Sequence, residues 1–206
     1  TLDGSSAASD VYKRQSYDFS EYLSDVNQVH YRVVDGSGEI TTDLPIVLNS
    51  KPMIHDCAIT NNYVLIFDLP VTFNTSRRNK DENASDYPVV WDDNYTSRLG
   101  LLNRNTNEIK WIEVPNCFLF HVVNSYEDSS GKVILDFCRY DKLFDFNNPL
   151  PFGKKPFLTR WEIDTIKETC VEKLLDDRPM EFARIHPDLE GKEYRFSYIL
   201  NDGALN

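Results

Sequence analysis

"HVVNSYEDSSGKVILDFC", residues 121–138, is the stretch on which the reading of the fold turns. Strand-forming residues flank Asp128, Ser129, Ser130 and Gly131, the residue types that close a tight turn between antiparallel strands. Three other stretches repeat the pattern: "HYRVVDGSGEI" around residues 35–38, "LGLLNRNTNEIKWIEV" around 105–107, and "LTRWEIDTIKETCVEKLL" around 164–167. "PMIHDCAITNNYVLIFDLP", residues 52–70, reads as a further, buried hairpin with an imidazole at its entrance. No stretch carries a helical period. The fold class is all-β.

A longer period lies over the hairpins. Three times, 15 to 19 residues beyond an exposed turn, a short apolar strand bears a polar side chain. The strands read "MIHD" with His55, "FLFH" with His121 and "MEFAR" with Glu181. The intervals are 66 and 60 residues. Such repetition of a four-stranded unit, with loop insertions, predicts a β-propeller. Innermost strands of successive blades face one axis, so His55, His121 and Glu181 are expected to converge there. About three blades do not close a ring, and a fragment of a larger propeller is expected. Residues 74–97 read as the main long loop, anchored by Tyr87, Pro88 and Trp91.

Composition bounds the function. The 206 residues are 41% hydrophobic and 13% aromatic, which suits a packed core. A net charge of -11 disfavours phosphate backbones, so nucleic acid is not expected as a partner. An apolar substrate fits that balance better. The chain has no run of about 18 apolar residues, the length of a membrane helix. Four cysteines without a CxxC pair speak against a zinc-thiolate site and for a reducing, cytoplasmic setting. Residues 1–15, "TLDGSSAASDVYKRQ", are polar and aperiodic. Residues 10–15 back-translate into a transposon-adapter sequence, so 1–15 are expected to form a tail outside a domain spanning 16–206.

Of the four histidines, His30 and His186 read as exposed or hydrogen-bonded surface residues. His55 and His121 admit two readings, ligands of a shared metal or satisfied core histidines. Imidazoles without thiolates suit iron, copper, zinc or nickel alike. Glu181, between Met180 and Phe182, is costly in an apolar strand unless it has a partner such as a metal-bound imidazole. Nucleophile elbows, phosphate loops, dinucleotide fingerprints and HExxH are all missing from the sequence.

Six ordered segments resemble the carotenoid cleavage oxygenases, which include the lignostilbene and apocarotenoid dioxygenases and the retinal isomerohydrolase. They are "PMIHDCAITNNYVLIFDLP", "SRLGLLNR", "FLFHVVNSYED", "LDFCRYDKLFD", "LTRWEID" and "DDRPMEFARIHPDLEGKEYRFSY". The resemblance implies a seven-bladed propeller with a non-haem Fe(II) held on its axis by four histidines. His55 and His121 match two of these, and Glu181 matches a glutamate that hydrogen-bonds an iron histidine, His121 being the expected one. The other two histidines fall outside the chain. Cys57, Ala183 and His186 depart from the usual residues, and none of them removes a ligand.

By this resemblance the protein uses Fe(II) and O₂ to cleave a conjugated C=C bond of an apolar polyene, a carotenoid, an apocarotenoid or a stilbene. A catalytically silent propeller scaffold and an iron-dependent isomerase-like relative are the alternatives. Some members dip an apolar patch into membranes, so the expected location is cytoplasmic with peripheral membrane contact as an option.

Overall fold

In the computed structural model, residues 14–18, 27–73, 88–145 and 155–201 are described. They are nearly all β, and among the described residues the one helical element is a 3-10 turn at Pro187–Leu189. Three antiparallel sheets follow one another along the sequence. The first holds β1 (Arg14–Asp18), β2 (Gln28–Val34) and β3 (Ile40–Val47). The second holds β4 (Ala58–Ile59), β5 (Tyr63–Asp68), β8 (Arg98–Asn103) and β9 (Ile109–Glu113). Between β5 and β8 a two-stranded ribbon, β6 (Val71–Phe73) with β7 (Val89–Trp91), projects as an insertion. The third holds β10 (Phe118–Glu127), β11 (Val133–Tyr140), β12 (Phe157–Asp164) and β13 (Thr169–Arg184). Beyond its pairing with β12, β13 runs on and pairs β14 (Tyr198–Asn201).

All four turns read from the sequence join paired strands. The second and third sheets are the up-and-down, four-stranded blades of a propeller. Alternation along β5 explains why "YVLIFD" is apolar without interruption. Val64 and Ile66 face the first sheet, packing with Val29, Tyr31 and Ile46. Leu65 and Phe67 face the third, packing with Leu135, Phe137, Trp161 and Ile163. Successive side chains of a strand point to opposite faces, and here both faces are covered. Each such side chain contributes about 1.5–3 kcal/mol through burial.

One expectation needs correction. Residues 74–97 are not one loop, because β7 lies within them and pairs with β6; Tyr87 is outside the described residues. Pro52 bridges Thr72, which ties the ribbon to the segment leading into His55. Arg14 and Gln15 pair with Val34 and Val33, so strand pairing reaches two residues into the expected tail. Residues 1–13 are outside the described residues.

Candidate metal centre

His121 lies on β10, the inner edge of the third sheet. The register of β10 against β11 advances from Leu119↔Arg139 to Val122↔Phe137, so β10 carries one extra residue at Phe120-His121. Such a bulge turns a side chain out of the alternation. It presents the His121 imidazole to one side of the strand.

Glu181 comes from the far end of β13. Phe182, the next residue, has φ +56, a left-handed conformation that a bulky residue adopts only at a cost of about 1–2 kcal/mol. The ladder skips there, from Glu181↔Leu200 to Arg184↔Tyr198. The two irregularities bring the side chains together. His121 Nδ1 lies 2.6 Å from Glu181 Oε2. The same oxygen accepts the Phe182 N–H at 2.7 Å. A carboxylate can only accept, so the His121 Nδ1–H donates, and in the neutral ring this tautomer leaves the Nε2 lone pair available. Glu181 is 7% exposed, and its Oε1 is buried without a hydrogen bond.

His55 is not on a strand, contrary to the expectation for "MIHD". It sits in an extended segment between Pro52 and β4, with an open side to solvent. Its ring stands perpendicular to that of His121, with centroids 5.5 Å apart. Burial first, and then the neighbouring His121, pull its pKa below the ordinary value, against the opposing pull of Asp56 and Glu181. A lowered pKa keeps an imidazole neutral, the form that binds metals.

Aromatic side chains flank the pair. Phe120 stands edge-on to His55 at 5.1 Å, and Phe182 lies 5.0 Å from His121. Behind Phe120 an apolar cluster continues through Phe118, Tyr140 and Phe144. Phe182 is 57% exposed, an unusual position for a phenyl ring beside two imidazoles. Cys138 is fully buried, and burial together with nearby Glu181 pushes its thiol up to about 12, so it is inert.

The surface histidines stay apart, as expected. His30 Nδ1 meets Asp43 at 2.5 Å on the first sheet. His186 caps the 3-10 turn, accepting from the Asp188 N–H at 3.3 Å. Sequence reasoning missed Asp56, Phe120 and Phe182. Asp56 stands next to His55 in the opening of the buried hairpin, but the backbone turn at Phe182 left no mark in residue type.

The family model described as retinal pigment epithelial membrane protein matches residues 10–205. The chain belongs to this family. Among its relatives in the retinal pigment epithelial membrane protein family, the chain is 27% identical over 215 residues to the carotenoid cleavage oxygenase of Mycobacterium tuberculosis. That alignment covers 84% of the chain and 43% of the relative. Over 186 residues it is 28% identical to the carotenoid 9,10(9',10')-cleavage dioxygenase 1 of Phaseolus vulgaris, covering 82% of the chain and 32% of the relative. It superposes on the cobalt-substituted apocarotenoid oxygenase of Synechocystis with a TM-score of 0.74 and 26% identity. The superposition covers 91% of the chain and 40% of that structure. The chain therefore spans roughly two fifths or less of these relatives, and its fold is part of a β-propeller.

A dication fits the donor set. Two imidazoles with ring centroids 5.5 Å apart are near enough for one ion to take a nitrogen of each at about 2 Å. One of them has its proton fixed on the opposite nitrogen by Glu181. The uncompensated Oε1 of Glu181 and the nearby Asp56 add negative charge that favours a cation. Among the described residues no group of three or more His, Cys, Asp or Glu side chains is arranged to hold a metal ion. The described chain thus brings two imidazoles.

Proposed function

We propose that this chain is part of a non-haem Fe(II) dioxygenase that cleaves a conjugated C=C bond of a carotenoid, apocarotenoid or stilbene, leaving one carbonyl on each product. The observation that carries the reading is the His121–Glu181 hydrogen bond beside His55. A metal-bound imidazole usually donates its other N–H to a carboxylate or carbonyl, the arrangement His121 has with Glu181. Relatives named as carotenoid oxygenases support the substrate class, and a cobalt-substituted relative supports a metal.

His55 and His121 would hold the iron, together with ligands contributed from outside the chain. When bound, Fe(II) supplies the redox chemistry with O₂ that side chains cannot. The chain's own residues do the rest. Glu181 keeps the proton of His121 on Nδ1, which holds the ring in one orientation. Phe120 and Phe182 give the imidazoles an apolar wall against which a polyene can lie, and they displace water from that side. Both atoms of O₂ end in the two carbonyls, so no further oxidant or reductant is needed.

The test uses the full-length protein, a panel of apocarotenoids and stilbenes, and O₂. Aldehyde or ketone products that need added Fe(II) are expected. Failure to form them across the panel, with iron bound, would overturn the cleavage reading.

A further inference from the structure

We propose that Asp56 is the positioning residue that sets the spacing of the two imidazoles, a role that rests on the metal-site reading above. The strands do not fix this spacing. His55 lies outside any ladder, in the extended segment between Pro52 and β4. His121 sits on a bulge where the ladder is interrupted. Something must join them.

Asp56 does so with both oxygens. Oδ1 accepts the N–H of Cys57 at 2.8 Å and so shapes its own segment. Oδ2 accepts the N–H of Val122 at 2.9 Å, across 66 residues of sequence. Val122 follows His121, and Asp56 follows His55. The carboxylate of the residue after His55 therefore holds the amide of the residue after His121. β10 is the edge strand of its sheet, so amides on its open side lack a ladder partner. Asp56 takes one of them with a charge-assisted bond, stronger than a neutral one.

Other links join the same segments at a greater remove. Ser125 Oγ donates to the Ile59 carbonyl at 2.7 Å. Asn124 holds the turn after β13, donating to the Leu189 and Lys192 carbonyls and accepting from the Gly191 N–H. These contacts secure the frame, whereas the Asp56–Val122 bond joins the residues that directly follow the two imidazoles. Asparagine at this position keeps the size and one accepting oxygen. It turns an NH₂ toward either the Cys57 or the Val122 N–H, so one arm of the clamp is lost.

The experiment compares Asp56→Asn, Asp56→Ala and Ser125→Ala in the full-length protein. Fold is checked by circular dichroism, Co(II) affinity by titration, ligand geometry by the visible Co(II) spectrum, and turnover by kcat and KM. Asp56→Asn is expected to weaken Co(II) binding about 10-fold, shift the spectrum and lower kcat with little change in KM. Asp56→Ala should do more of the same. Ser125→Ala should lower the melting temperature while leaving the spectrum unchanged.

Wild-type affinity and spectrum in a folded Asp56→Asn would overturn the positioning role. So would an equal spectral shift in Ser125→Ala. The metal-site reading fails separately, by unchanged Co(II) binding in His55→Ala and His121→Ala.

Discussion

His121 and Glu181 stand 60 residues apart in sequence and 2.6 Å apart in space. The contact joins β10, at one edge of the third sheet, to the far end of β13. Replacing Glu181 by Gln keeps the shape but removes the charge that holds the imidazole proton. Metal affinity of the full-length protein is expected to fall about 10- to 100-fold, read by titration with Fe(II) or Co(II). Affinity within twofold of wild type would mean that the carboxylate has no part in the site.

Phe182 separates stability from function. Its left-handed φ of 56 costs about 1–2 kcal/mol, and its ring is more than half exposed, so little burial repays that cost. Phe182→Gly is expected to leave the melting temperature unchanged or higher. The same change strips the phenyl wall from His121 and should lower turnover of an apolar substrate. A lower melting temperature with unchanged turnover would reverse both assignments.

Gly100 answers to packing alone. A Cβ there would come within 2.8 Å of Trp111 Cζ3 and 3.0 Å of Ile109 Cδ1. Trp111 is held in turn by the Arg98 guanidinium, 3.9 Å above its ring, and cannot move aside freely. Gly100→Ala is expected to cost about 1–3 kcal/mol, measured by thermal or urea unfolding. A neutral result would show that the second blade is looser than it stands.

Arg160 neutralises a fully buried carboxylate. Its guanidinium grips Asp136 with two bonds, at 2.7 and 2.8 Å, and Tyr194 Oη donates to the same carboxylate at 2.6 Å. Arg160→Met leaves Asp136 charged and buried without its cation. A loss of about 3–5 kcal/mol is expected in the unfolding free energy. Asp136→Asn with Arg160→Met should recover part of the loss, because the buried charge is then gone.

The hairpins were legible because turn residues and strand-forming runs are local signals. The sequence period also singled out His55, His121 and Glu181, whose side chains lie near one another. What escaped depends on non-local backbone geometry. "VVW" is too short to announce β7 until its pairing with β6 is seen. The placement of His55 off a strand follows from the bridge of Pro52 to Thr72 and from the Asp56 clamp, neither of which has a sequence period. Arg14 and Gln15 read as tail because their pairing to Val34 and Val33 draws on backbone groups, to which polar side chains give no clue.

Iron retention in single-histidine variants of the full-length protein tests the central claim most directly. Bound iron per protein is measured beside carbonyl product under O₂ for alanine at each of His30, His55, His121 and His186. Loss of both iron and product at His55 and His121, with both kept at His30 and His186, is the expected result. Retained iron with full cleavage in His121→Ala, or equal losses at His30 and His121, would contradict it.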